Sequence, residues 1–132
     1  MTSVFVPVGT ALSVVDKWGV RHTALLSQYD VWGRAWVIDN SLTHDVKERL
    51  FTEFTNGLDW SIVNYKPAFS QADILQRAYN MIGRRYNPLF FNCQHFTSLC
   101  VTGKAKSEQL RGALTVAGLL LGAAVIPAMA LS

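Results

Sequence analysis

The stretch Leu89-Phe90-Phe91-Asn92-Cys93-Gln94-His95-Phe96 places a helix start and a thiol at the same point of the chain. Asparagine is among the residue types whose side-chain oxygen caps a helix, so Asn92 makes Cys93 the first helical residue. A cysteine there meets the positive end of the helix dipole and unpaired N–H groups, both of which favour the nucleophilic thiolate. Cys93, Phe96 and Cys100 also recur at the spacing of an ordinary buried face, and composition alone favours reading both cysteines as core.

Working outward, the basic loop Arg84-Arg85-Tyr86-Asn87-Pro88 precedes this stretch, and a helix precedes the loop. Ser70 is a good N-cap with Asp73 three residues on, Ile74, Leu75, Ala78 and Ile82 share a face, and Gly83 supplies a left-handed stop. Further back the pattern is β-like. Thr10 to Val15, Val20 to Leu26 and Ala35 to Ile38 are rich in Val, Ile, Leu and Trp, and predict a three-stranded meander. The tight connections are Asp16-Lys17-Trp18-Gly19 and Asp30-Val31-Trp32-Gly33, each closing on glycine. Val46, Leu50 and Phe54 recur every four residues before an Asn56-Gly57 stop, which predicts a short helix. Leu58 to Tyr65 alternates, with Trp60 and Ile62 on one side, and reads as another strand closed by Pro67.

The chain has 132 residues, half of them hydrophobic and 16% charged, which suits one small domain. Two cysteines are too few for a secreted disulfide scaffold, so both read as reduced thiols. A net charge of +3 is too diffuse for a nucleic-acid groove, and no nucleic-acid partner is expected. The cysteines and histidines lack the close paired spacings of a zinc site, and there is no phosphate-binding glycine loop. Neither metal nor cofactor is expected. The amino terminus lacks the features of a secretory signal.

The carboxyl-terminal end reads differently. Ala113 to Leu131 is a run of 19 residues without a charge, close to the length that spans a bilayer. Its small side chains and Pro127 also suit a buried or hairpin-like tail. The expected organisation is therefore a catalytic-type domain at 1–111 and a hydrophobic membrane-anchor helix at 112–132. Lys104, Lys106 and Arg111 flank the run and favour a cytoplasmic domain. Gly118 and Gly122 form a small-xxx-small pair through which two such helices could form a weak homodimer.

His22 opens an apolar strand, Arg21-His22-Thr23-Ala24-Leu25-Leu26, and a Cys/His pair brought together by folding is the minimum for an activated thiol. Taken singly, a histidine there is more often structural. Together with Tyr86-Asn87-Pro88-Leu89-Phe90-Phe91-Asn92-Cys93-Gln94-His95-Phe96, however, it resembles the lecithin retinol acyltransferase family, whose box reads Asn-Cys-Glu-His-Phe. The resemblance covers about residues 8 to 101. It implies an α+β fold, an antiparallel sheet with packed helices, in which the order of His and Cys is circularly permuted relative to papain-like and NlpC-type thiol enzymes.

By that resemblance Cys93 is the nucleophile, His22 its base, and Asp39 the residue that orients the imidazole, with Asn40 the competing candidate. Many relatives carry a histidine at the Asp39 place, and Gln94 replaces the family's common glutamate. Arg84 and Arg85 are candidates for a lipid phosphate, although exposed basic pairs are usually just solvated. His95 lies about 200° around an ideal helix from Cys93 and reads as a fold support. Cys100 reads as core, and His44, in a polar turn, as solvated. The implied substrate is a phospholipid or other acyl ester, and the implied activity is phospholipase A-type hydrolysis or acyl transfer at a membrane. Two other classes compete: a cysteine peptidase or amidase using the same pair, and a non-catalytic membrane adaptor in which Cys93 is merely packed.

Overall fold

The computed structural model describes residues 5–106. The meander forms as expected, from β1 (Ala11–Val15), β2 (Arg21–Tyr29) and β3 (Ala35–Ser41). After it come β4 (Asp45–Leu50), α1 (Phe51–Thr55), β5 (Trp60–Ile62), α2 (Gln71–Asn80) and α3 (Cys93–Thr102). The strands make one antiparallel sheet in the order β4-β3-β2-β1-β5. The α+β expectation holds.

Alternation along the strands feeds a separate core on each face. Ala11, Leu25, Ile38 and Val46 pack with Ile74 and Ala78 of α2 and Phe96 and Cys100 of α3. Leu12, Val14, Ala24, Leu26 and Val37 turn the other way and pack with Phe51 and Phe54 of α1. There Phe51 meets Trp60 edge-on at a centroid distance of 5.7 Å.

Caps fix both long helices. The Ser70 hydroxyl accepts from the Asp73 N–H at 3.2 Å and opens α2. Asn92 Oδ1 accepts from the N–H groups of Gln94 and His95, both at 3.0 Å, and opens α3 at Cys93. His95 completes that cap, because its Nδ1 accepts the Asn92 N–H at 3.1 Å. Its role as a fold support follows directly.

The structure corrects four local readings. Val46 to Leu50 is strand, not helix, because pairing with β3 from Trp36↔Leu50 to Ser41↔Asp45 outweighs a spacing of four, leaving a single helical turn at Phe51–Thr55. Ile82 lies beyond the end of α2 and is 45% exposed. Only Trp60–Ile62 pairs as a strand, and beyond it Val63 and Tyr65, rather than Ile62, pack against the α2/α3 core. His44 is mostly buried rather than solvated, its Nδ1 donating to the Asp45 carbonyl at 2.7 Å.

Among the described residues no helix is long and apolar enough to cross a membrane. The expected anchor at 112–132 lies outside the described residues.

Candidate active site

The site arises where two neighbouring strands stop pairing. Contacts between β2 and β3 run from Tyr29↔Ala35 to Leu25↔Ile38 and go no further. Beyond that point the chain entering α3 bonds to both strands. Thr23 of β2 donates to the Cys93 carbonyl at 3.0 Å, and Asn40 of β3 donates through Nδ2 to the Phe91 carbonyl at 2.8 Å. These anchors are buried, so each bond also spares a polar group the cost of desolvation without a partner. The amino terminus of α3 is thereby held against the end of the sheet where His22 sits.

His22 and Cys93 line one cleft of about 440 Å³, with Asp16, Asp39, Arg49 and Tyr86. The imidazole of His22 is hydrogen-bonded to the Cys93 side chain. Its Nε2 donates to Asp16 Oδ2 at 2.8 Å. Asp16 is itself held in place, since its Oδ1 accepts the N–H groups of Trp18 at 2.8 Å and Val20 at 3.0 Å. The bond to Cys93 foremost, and that to Asp16 after it, lift the His22 imidazole to about 9 against the downward pull of partial burial. In turn the His22 bond, with the Val20 N–H, holds Asp16 below the ordinary carboxylate range.

Asp39 reaches the cleft but is engaged elsewhere. Arg49 grips it through two bonds, Nε to Oδ1 at 3.0 Å and Nη2 to Oδ2 at 2.8 Å, and His44 Nε2 lies 3.5 Å from Oδ1. The carboxylate that contacts His22 is therefore Asp16, from the β1–β2 turn, in place of the strand residue expected from the resemblance. Asn40, the competing candidate, spends its Nδ2 on Phe91, while its Oδ1 is buried without a hydrogen-bond partner.

Arg84 and Arg85 do not line the cleft. The Arg84 guanidinium sits 3.9 Å over the Phe91 ring, and its backbone pairs with Val46 of β4. Gln94 is buried and donates to the Arg21 carbonyl at 3.3 Å, tying α3 to β2. Burial raises the Tyr86 phenol first, and the Cys93 charge raises it further, which places the ring within electrostatic reach of the thiol. Burial likewise holds the His95 imidazole below its ordinary value. Cys100 is a free, buried thiol pushed up to about 12 by desolvation, as befits a core residue. No group of three or more metal-ligating side chains occurs among the described residues.

Sequence reading alone missed Asp16 and Arg49. Asp16 appeared only as a turn former, yet Val14↔His22 pairing places the entry to that turn beside the histidine. An acidic residue opening a hairpin whose return strand begins with histidine is the signal that could have found it.

A histidine on a central strand bonded to a cysteine that opens a packed helix defines an α+β thiol protein of the permuted type. The family model for lecithin retinol acyltransferase matches residues 15–106, from the end of β1 through α3, and takes in both His22 and Cys93. The chain belongs to that family, and membership points to acyltransferase- or phospholipase-type chemistry on lipid acyl groups. No individual curated protein matches the chain.

Proposed function

We propose that the protein is a thiol-dependent phospholipid acyl hydrolase or acyltransferase working through an acyl-thioester on Cys93. The observation that carries this reading is the His22 imidazole, bonded at once to the Cys93 thiol and to Asp16 within the cleft. Cys93 Sγ passes its proton to His22 and attacks the ester carbonyl, the S–C bond forms, and the tetrahedral oxyanion collapses with loss of the C–O bond. His22 delivers its proton to the departing lysolipid oxygen. It then takes a proton from water or an acceptor alcohol or amine as that group attacks the thioester, the C–S bond breaks, and His22 returns the proton to Sγ to restore the thiol.

Asp16 holds the ring in one orientation and stabilises its cation throughout, which makes it a positioning residue. The backbone N–H of Cys93, at the start of α3, is the proposed oxyanion donor. Residues 112–132 are proposed to anchor the chain in a membrane with the domain on the cytoplasmic side. Support for this comes from the uncharged run and its basic flank.

The test is intact mass after brief exposure of the detergent-solubilised protein to a diacyl phospholipid. A hydroxylamine-sensitive acyl adduct is expected on the wild type and absent from Cys93→Ala and His22→Ala. No adduct and no released fatty acid with any lipid would overturn the reading and favour an amide substrate or an adaptor.

A further inference from the structure

In an antiparallel meander the β1–β2 and β3–β4 connections emerge at the same end of the sheet, and that end carries the cleft. Both connections project large apolar side chains into solvent. Trp18 is 79% exposed on the first and Leu42 77% exposed on the second. Between them Val20, Leu42 and Leu58, all exposed, line the cleft itself. An exposed indole and leucine on adjacent tight turns cost free energy in water, and none of the described residues covers them. Lys17 Nζ lies 5.3 Å from the Trp18 ring centroid, putting a positive charge beside the indole.

We infer that this end of the sheet is a membrane-docking rim, with the Trp18 turn and the Leu42 turn seated in the bilayer interface on either side of the cleft mouth. The inference rests on the proposed lipid chemistry and deepens it, because an acyl ester embedded in a bilayer reaches Cys93 only if the cleft opens onto that surface. Indole is suited to the headgroup level, apolar in body with one polar N–H, and Lys17 is placed to meet lipid phosphate there. Val20, Leu42 and Leu58 then give an acyl chain an apolar route from the interface to the thiol.

The opposite end of the molecule supplies its own control. Trp32 is 77% exposed on the β2–β3 turn, which antiparallel topology places far from the cleft. The experiment is tryptophan quenching by vesicles of mid-chain brominated phosphatidylcholine with a minor fraction of phosphatidylserine. It uses the full chain carrying Cys93→Ala, so that no turnover occurs. Adding Trp32→Phe should leave the quenching nearly intact, whereas adding Trp18→Phe should reduce it about threefold. Quenching that survives Trp18→Phe and disappears with Trp32→Phe would overturn the rim. Absence of quenching in both would also overturn it and leave a protein partner as the occupant. Since no acyl-enzyme is needed, loss of quenching with an intact thioester reaction sinks the rim alone. Quenching without any thioester reaction in the Cys93 protein sinks the catalytic reading alone.

Discussion

The turns at the two ends of β2 share one construction and put it to different uses. In each, an aspartate opens the turn, its Oδ1 accepts the N–H groups two and four residues on, and its own N–H donates to the carbonyl four residues on at 2.9 Å. Each closes on a glycine in the left-handed region, Gly19 at φ 80° and Gly33 at φ 78°. What differs is the partner of Oδ2. Asp16 receives the imidazole of His22, and Asp30 receives Trp36 Nε1 at 3.0 Å and Arg34 Nε at 2.7 Å. The partner ring in both cases lies six residues along. One residue at that place turns a structural staple into half of the proposed proton-transfer unit.

The comparison breaks most visibly at the ring. His22→Ala should slow formation of the acyl-enzyme by about 10²- to 10⁴-fold, measured by intact mass against time. Asp39→Asn should leave the partly buried Arg49 guanidinium poorly paired and cost about 2 kcal/mol of stability in a urea titration, with a smaller rate effect than Asp16→Asn. Asp16→Asn should slow acylation about tenfold and move its alkaline limit below the value set by His22, near 9, because the bond favouring the imidazolium is weakened. The equivalent change on the other turn, Asp30→Asn, should leave the rate alone and lower only the melting temperature.

The two turns also differ in the pH at which they contribute. His22 is raised on folding, so its contribution is complete below its ordinary value near 6.5 and is lost as pH rises through about 9. Desolvation pulls Asp30 upward, but the bonds from Trp36 and Arg34 overcome it and hold the carboxyl at about 2. Its contribution is complete above the ordinary carboxylate value and is lost as pH falls through about 2. Melting curves of His22→Ala and Asp30→Asn should therefore both lie below the wild type at neutral pH and rejoin it on opposite sides, the first as pH rises through about 9 and the second as pH falls through about 2. Smallest of all, Gly19→Ala and Gly33→Ala should each cost about 1 kcal/mol through backbone strain alone, since neither added Cβ meets a neighbour within 4 Å.

What could be read in advance follows the range over which each feature is decided. The meander, both capped helices and the core role of Cys100 rest on turn residues, caps and periodicity, which act within a few residues of themselves. The strand at Asp45–Leu50 could not be seen this way, because its conformation is settled by β3 across the sheet. The site divides along the same line. Cys93 and His22 stood out as residue types in suggestive positions, and a family resemblance joined them. Asp39 was read as the residue orienting the imidazole, but its engagement with Arg49 instead depends on how β3 and β4 register, which no local pattern reports.

The termination of β2–β3 pairing at Leu25↔Ile38 has a consequence for synthesis. The contacts that lodge α3 there join partners as much as 74 residues apart, as Thr23 and Thr97 are, so they close one of the longest loops in the domain. A ribosome-bound chain still lacking α3 can make the meander but holds no thiol beside the histidine. The Cys93–His22 pair on which the proposed acylation depends therefore forms late, after the hairpins are in place. On the proposed mechanism a nascent chain therefore has no means of modifying lipids or itself before the whole fold exists.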